Sequence, residues 1–600
     1  MWGRMMLSKL YSNKSDIFSA INFNSGLNVV MAEIRLPENL KKDTHNLGKT
    51  TLGRILDFCL LAERNKKFFL FKHFDIFKEF VFFLELELMD GSYLTVRRSV
   101  KDSSKVGFKK HEASNQNFSS LSDANWDHVD IPFERAREIL DSLFDFRALK
   151  PWTYRNILGY ILRSQDEYRD IFQLYFSKHA QWKPFLAHIL GFDAKLVENY
   201  YQKEQELEQK KVKEQTIKDE LGGSVEDLSK IEGILLLKQK DVDKKTRLLD
   251  AFDFRSEDKE LTKKLVDELD DRIAVLNAER YSLNQTKKKI RNSLQEDSVI
   301  FNPEEAQQLF KEAGVLFQGQ IKKDFEQLIA FNRAITDERS GYLKEELSEI
   351  EANLKGINAE LNRLGKKRSE TLSFLSETDV FNRYKQLTNE LITLRSDVTS
   401  YERRRESLRR LQELRAEIRT LMEERGHLQT QIETNVENQN SDESSLFTAT
   451  RIYFSEIIEE VIDRKAVLSV SPNRDGHLEF KVAILDEFGN ETSADDGFTY
   501  KKLLCIAFDM AVLRAHLNDR FPRFVYHDGV FESLDNRKKE NLLDVIRNYA
   551  DFGVQSIITL IDSDLPKRTS ENHEVFDSEE IVLTLHDEGP DGLLFKMATW

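Results

Sequence analysis

DTHNLGKTT, residues 43–51, reads as a phosphate-binding loop in which Asp43 stands where the first glycine is expected. The general pattern is G-x-x-x-x-G-K-[ST]. Its backbone N–H groups cradle phosphate, its lysine reaches the β- and γ-phosphates, and its hydroxyl residue ligates magnesium. On this reading His45, Asn46, Leu47, Gly48, Lys49, Thr50 and Thr51 form an ATP-binding loop, with Thr50 a Mg2+ ligand. The flanks supply the required context. INFNSGLNVVM (21–31) has strand character, and TLGRILDFCLLAE (51–63) spaces its apolar residues as a helix does. A helix opening at the loop would present unpaired N–H groups to an anion. The connection through AEIRLPENLKKD is longer than usual.

The second half of such a site lies near the other end of the chain. PRFVYHDGVFESLD (522–535) is an apolar strand ending in Asp528, the placement of the carboxylate that holds Mg2+. Seven residues further on comes Asp535, preceded by Ser533 and Leu534. That spacing matches the D-E-P-x-x-x-L-D pattern of ATP-binding-cassette heads, where the last aspartate faces a dimer interface. If Lys49 and Asp528 share one nucleotide, the intervening chain has to return to its starting point.

Its composition says how. Between Pro184 and Pro472 there is a single proline, Pro303, in a stretch rich in Glu, Lys, Leu, Gln and Arg, which favours long helices. Leu343, Leu347, Ile350, Leu354, Ile357, Leu361 and Leu364 alternate steps of four and three. Leu269, Ile273, Leu276, Leu283, Ile290 and Leu294 follow the same alternation, with Arg280 and Lys287 at two seam positions. Leu387, Leu391, Leu394, Val398 and Tyr401 carry it on, then Leu411, Leu414, Ile418, Leu421, Leu428 and Ile432. Sustained heptads with charged flanks specify coiled coil. Two tracts of similar length predict one antiparallel hairpin, with an arm on the order of 150 Å at about 1.5 Å per residue. Breaks at 250–258 and 375–383 lie at comparable distances from the apex and form a candidate joint; two unrelated coiled-coil segments are the alternative.

The expected fold class is therefore α/β: a split ATP-binding-cassette-type head of mixed sheets and helices, interrupted by a long antiparallel coiled-coil hairpin. The expected segments are an N-terminal head lobe (1–195), an ascending arm (196–300), an apex (301–335), a descending arm (336–442) and a C-terminal head lobe (443–600). Within the lobes, Asp90-Gly91 and Asp475-Gly476, between alternating stretches, predict β-hairpins.

Charge and hydropathy narrow the function. Charged residues make up 32% of the chain and the net charge is −15, so no global basic field advertises nucleic acid. DNA contact would have to be local, at Lys66-Lys67, Arg97-Arg98, Lys109-Lys110 or YERRRESLRR (401–410), although such runs are also ordinary solvated faces. The most apolar stretch, 67–89, is broken by Lys72, Asp75, Lys78, Glu79, Glu85 and Glu87, which excludes a plain membrane span. The N-terminus lacks the apolar core of a signal peptide, and Cys59 and Cys505 are the only cysteines; a cytoplasmic protein is expected.

The order of strand, HNLGKTT, coiled coil and SLD resembles the SMC, RecN and double-strand-break-repair ATPases. More closely, DTHNLGKTTLGRILDFCL, ILGYILRSQDEY (157–168), GFTYKKLLCIAFDMAVLRAHL (497–517) and VYHDGVFESLD look like the YydD-like family. That bacterial branch is associated with ABC three-component conflict systems and is related to Lamassu-type phage defence. The resemblance implies ATP and Mg2+ as cofactors and a homodimer through the heads. It also implies double-stranded DNA, a companion effector or nuclease and small accessory subunits as partners, with no membrane. Carried over residue by residue, Gln165 becomes the glutamine that senses Mg2+ and γ-phosphate, a solvent-facing helical glutamine being the alternative. Gly497, Phe498 and Thr499 open the segment that faces the partner's ATP, and Ser533 and Asp535 belong to the same interface.

Two positions depart from that pattern. Gly529 follows Asp528 where the catalytic glutamate is usual, which leaves Glu532 as the nearest candidate base provided that its loop folds back. Ile561 stands where a switch histidine is usual. Slow or assisted hydrolysis is expected. A nucleotide-switched coiled-coil scaffold that restrains an effector without binding DNA is the alternative function.

Overall fold

The computed structural model describes residues 4–39, 47–165, 167–174, 177–221, 227–251, 258–296, 319–373, 379–492, 497–566 and 575–597. The chain forms two units, Met1–Glu206 with Leu421–Trp600, and Leu207–Thr420.

In the first unit the strands are, in chain order, β1 (Met6–Ser12), β2 (Ile21–Asn22), β3 (Leu27–Glu33), β4 (Val81–Glu87), β5 (Tyr93–Ser99), β6 (Lys105–His111), β7 (His128–Pro132), β8 (Leu162–Arg163), β9 (Ala466–Pro472), β10 (Leu478–Ile484), β11 (Phe524–His527), β12 (Gln555–Ile561) and β13 (Ile581–His586). Five of them form one sheet in the order β13-β3-β12-β11-β8, every neighbouring pair parallel. Strands β3 and β8 come from one end of the chain and the other three from the opposite end. Val29 of β3 is in register with Ile558 on one side and Ile581 on the other. The head is thus split in sequence and single in structure. Parallel strands are covered on both faces, which is why LNVVMAE, FVYH and QSIITLI are nearly unbroken apolar runs. A second, antiparallel sheet runs β2-β1-β4-β5-β6-β7, and β9 pairs with β10. The two expected hairpins are its β4–β5 turn and the β9–β10 turn.

The helices that matter below are α1 (Lys49–Cys59), α2 (Ala194–Glu220), α3 (Leu228–Asp250), α4 (Asp258–Glu296), α5 (Gly319–Ser373), α6 (Asp379–Ser441), α7 (Phe498–Ala515) and α8 (Asn536–Asp551). The roots of α2 and α6 belong to the head: Val197, Tyr200, Ile432 and Val436 are buried in its core. The division therefore falls at 206/207 and 420/421, inside the helices, whereas composition placed it at 195/196 and 442/443.

The second unit is the coiled coil, and its seams pair antiparallel as the heptads require. Leu269, Leu276, Ile357 and Leu364 pack together, as do Ile290, Ile350 and Leu354. Lys287, a charged seam position, reaches Glu351 at 2.8 Å. Further along, Lys238 pairs with Asp397 at 2.6 Å and Arg409 with Glu232 at 2.8 Å. The pairing is not straight throughout. Lys289 Nζ donates to the carbonyl of Glu220, 69 residues away, at 2.9 Å, and Arg395 pairs with Asp271 at 2.5 Å. Along one continuous helix 69 residues would span roughly 100 Å. So α4 runs back beside α3 and α6. The broken segments 252–257 and 374–378 lie outside the described residues, as do apex residues 301–318. Leu249, Val266, Leu372, Tyr384 and Leu391, from the helix ends that flank the two segments, form one buried cluster. Among the described residues no helix is long and apolar enough to cross a membrane.

One buried ion pair near this cluster makes the unit pH-sensitive. Arg368 Nε lies 2.7 Å from Asp270 Oδ1, both side chains being about a tenth exposed or less. Burial pushes the Asp270 carboxyl up to about 6, against the pull of Arg368. A folded-state pKa above the ordinary value means that the folded unit binds this proton more tightly than the unfolded chain does. The stabilisation is fully present below about pH 4 and is lost as pH rises through about 6, a loss on the order of 3 kcal/mol. Helical unfolding followed at 222 nm should show a more stable arm at pH 5 than at pH 7. Asp270→Asn should flatten that difference.

Candidate functional site

Strand β3 runs into a connection that ends at Gly48, the residue capping α1. Gly48 has φ +109, and a Cβ there would lie 2.5 Å from the Cβ of Leu594, so both conformation and space demand glycine. Leu594 also donates its N–H to the carbonyl of Leu47 at 3.0 Å, tying the C-terminal segment to the loop. No acidic residue occupies the first turn of α1, which leaves the helix N-terminus favourable to an anion. Lys49, Thr50 and Thr51 form that turn; His45 and Asn46 lie outside the described residues.

The two ends of the chain meet here. Thr50 Oγ1 donates to Asp528 Oδ2 at 2.6 Å across 478 residues of sequence. Asp528 follows β11 directly. Its other carboxylate oxygen accepts from Thr559 Oγ1 of β12, and its N–H donates to the carbonyl of Arg163 of β8 at 3.1 Å. The Tyr526 hydroxyl donates to the carbonyl of Lys49 at 2.8 Å, seating α1 on the sheet. Burial lowers the pKa of Lys49, opposed by Asp528, Glu532 and Asp564. A triphosphate would supply that half-buried cation with a further anionic partner.

Among the described residues no three His, Cys, Asp or Glu side chains are grouped to hold a metal. Magnesium at a phosphate loop does not need such a cage, since it takes a hydroxyl, one carboxylate, phosphate oxygens and water. A hydroxyl and a carboxylate 2.6 Å apart beside a half-buried lysine fit that donor set.

The loop after Asp528 folds back on itself. Gly529 has φ +65, and a Cβ built on it would meet three carboxyl atoms of Glu532 at 2.5–2.8 Å. Glu532 thus turns back over Gly529 and fills the space where a side chain at 529 would begin. Its carboxylate is paired with Lys502 Nζ at 2.7 Å.

Gln165 is exposed, two residues beyond β8 in a turn, so the helical alternative is excluded. Gly497 caps α7 and Thr499 is half-buried in its first turn, while the Phe498 side chain lies outside the described set. Asp535 caps α8, accepting from Lys538 N–H at 3.1 Å, and pairs with Lys538 Nζ at 2.7 Å; those bonds lower its pKa. Ser533 is exposed at φ +65, a conformation a non-glycine residue rarely adopts. Ile561 ends β12.

The basic runs fare differently. Arg98 is 1% exposed and donates to the carbonyls of Phe58 and Ala62, which removes it from any DNA surface. The strand pleat points it at α1, where it stacks on Phe58 at 4.2 Å. Arg97 pairs with Asp123, Lys109 with Asp127, Lys110 with Asp90 and Arg410 with Glu406. Lys66 and Lys67 stay exposed.

Sequence reading missed Lys502, Asp509 and Thr559. The signal was present in α7: Lys502, Asp509 and His516 recur every seven residues on an apolar helix, and all three are buried. Asp509 accepts from Arg163 Nε at 2.6 Å and Nη2 at 2.8 Å and lies 3.2 Å from His527 Nε2, joining α7 to β8 and β11.

A family model described as an uncharacterised protein conserved in bacteria (DUF2326) matches residues 455–599, the segment carrying Lys502, Asp528, Glu532 and Thr559. No curated protein matches the chain. Among solved structures it is similar to the Smc head domain with a coiled coil and joint from Pyrococcus yayanosii, at 15% identity and TM-score 0.36, covering 93% of this chain and 92% of that one. It is also similar to the Smc head domain with an extended coiled coil, bound to the C-terminal domain of ScpA, from Pyrococcus furiosus. There the identity is 12% and the TM-score 0.31, over 94% and 91% of the two chains. For the SMC head domain from Thermotoga maritima the values are 16% and 0.15, over 23% and 43%.

Proposed function

We propose that the chain is an SMC-like ATP-binding protein whose heads pair on nucleotide and which acts on double-stranded DNA. In this reading it is the cytoplasmic core of a multi-component anti-phage or genome-conflict system with a separate effector and small accessory subunits. The observation that carries the nucleotide part is the 2.6 Å contact between Thr50 and Asp528 beside half-buried Lys49. When bound, Mg2+ supplies charge to the phosphates at Thr50 and Asp528. Lys49 and the N–H groups opening α1 bind and orient the triphosphate. Glu532, folded over Gly529, takes a proton from the attacking water, and Gln165 orients that water from the end of β8. Thr499, Ser533 and Asp535 face the partner head. The effector partnership rests on the family resemblance.

A second reading has its own observation. Most of the basic residues nominated for DNA are buried or spent in ion pairs within the chain, and Glu532 is paired as well. Both features favour a nucleotide-switched scaffold that restrains an effector without gripping DNA.

Particle mass and shape with and without ATP and linear duplex DNA separate these readings. The first expects doubling of mass with ATP and DNA capture that weakens with salt, by a slope of about −0.9 per phosphate contact. Pairing without DNA capture at any salt supports the scaffold, and no response to ATP rejects both.

A further inference from the structure

The carboxylate of Glu532 lies over Gly529 with Lys502 Nζ 2.7 Å away. Its side chain is a quarter exposed, and among the described residues Lys502 is the one side chain that donates to it. Lys502 itself is 3% exposed along its side chain. It also donates to the carbonyl of Gly529 at 2.8 Å, and its Nζ lies 5.2 Å from the centre of the Tyr168 ring. One ammonium therefore clasps both ends of the turn that begins at Gly529 and closes with Glu532 N–H on the Gly529 carbonyl at 3.2 Å.

We infer that Lys502 is the positioning residue that converts Glu532 into a replacement for the carboxylate missing at 529. The inference rests on the ATPase reading above. Head proteins with a glutamate directly after the strand aspartate need no such device, because the backbone places the base. Here the base is three residues further on and swings on its own torsions, so a second group has to hold it. Lys502 also stands five residues past Gly497, the end of α7 assigned to the partner's nucleotide. A shift of that helix end moves the lysine, and with it the carboxylate. Closure of the dimer thereby reaches the base through little more than one helical turn.

The test uses the full chain with Lys502→Met, Lys502→Arg, Glu532→Gln and the Lys502→Met/Glu532→Gln double variant. Mg-ATP hydrolysis, binding of a fluorescent ATP analogue, and the crystal structure of Lys502→Met are measured. Lys502→Met should lower kcat about tenfold to hundredfold, the cost of misplacing a reacting group by about 1 Å. Analogue affinity should stay within about twofold, because a positioned base acts only on the chemical step. Lys502→Arg should restore most of the rate. Adding Lys502→Met to Glu532→Gln should cost nothing more, since the two act as a unit. In the Lys502→Met structure the carboxylate should leave Gly529. The inference is overturned if the carboxylate stays there, if affinity falls by the same factor as kcat, or if the two substitutions multiply. Failure of the wild type to bind the analogue would reject the ATPase reading alone, and the Lys502→Met structure would still decide the positioning role.

Discussion

Replacing Arg163 with methionine is expected to destabilise the head by about 3–5 kcal/mol, the cost of breaking a buried pair by removing one partner. Arg163 is 1% exposed and Asp509 is fully buried. Burial opposes the guanidinium charge, and the Asp509 carboxylate more than reverses that, so the pKa of Arg163 is raised. The same guanidinium donates to the carbonyls of Glu167, Asp170 and Ile171, which holds the loop carrying Gln165 against the end of β8. Removing it strands three carbonyls and leaves the buried Asp509 carboxylate with the ring of His527, whose own pKa burial already lowers and which is a poor counter-charge. The measurement can be confined to the head. The five tryptophans stand at 2, 126, 152, 182 and 600, all in the head unit, so fluorescence in urea follows it separately from the helical arm. Adding Asp509→Leu should recover part of the loss by removing the stranded charge. It should not recover all of it, because the three carbonyls stay unpaired. A single-variant loss below about 1 kcal/mol would remove this pair from its role at the centre of the head.

The same network shows where sequence reading reaches and where it stops. Lys49, Thr50 and Asp528 were legible because their chemistry imposes a motif: a helix start, a cation and a strand-end carboxylate at set offsets. The seam leucines were legible because a period of 3.5 has one physical cause. Arg163 and Asp509 have no such offset, being 346 residues apart and joined only through the fold. Arg98 misled because a basic residue in an alternating strand reads as exposed, whereas the pleat turned it inward onto Phe58. The return of α4 beside α3 and α6 was hidden for a related reason. Val266 is buried beside Leu249 and Leu391, and Ala274 and Ala278 line the cleft shared with α3 and α6; such small residues leave the main heptad pattern intact and announce no extra neighbour. Lys502 is the instructive case between these extremes. A seven-residue recurrence of polar groups on an apolar helix says that something buried needs them, but not what.

Lys49→Ala and Asp528→Asn are expected to have the largest functional effects, and they should differ in kind. Lys49 is the half-buried cation of the phosphate loop, with its charge disfavoured by desolvation and sustained by Asp528, Glu532 and Asp564. Alanine removes the group that a triphosphate would neutralise. Nucleotide affinity and hydrolysis should both fall, the latter by about a hundredfold to a thousandfold, the usual cost of one preorganised charge-stabilising contact. Asparagine at 528 keeps the shape, accepting from one of the hydroxyls of Thr50 and Thr559 through Oδ1 and donating from Nδ2 to the oxygen of the other, so folding should survive. What it loses is the negative charge that a divalent cation requires. Nucleotide should still bind, with affinity that no longer rises when magnesium is added, and hydrolysis should fall as far as in Lys49→Ala. Titration of a fluorescent ATP analogue with and without Mg2+ separates the two patterns. Equal and undiminished affinity in both variants would mean that no triphosphate lies between Lys49 and Asp528. Loss of affinity in Asp528→Asn without magnesium would instead give Asp528 a structural role in shaping the loop through Thr50, because the cation would then play no part in the difference.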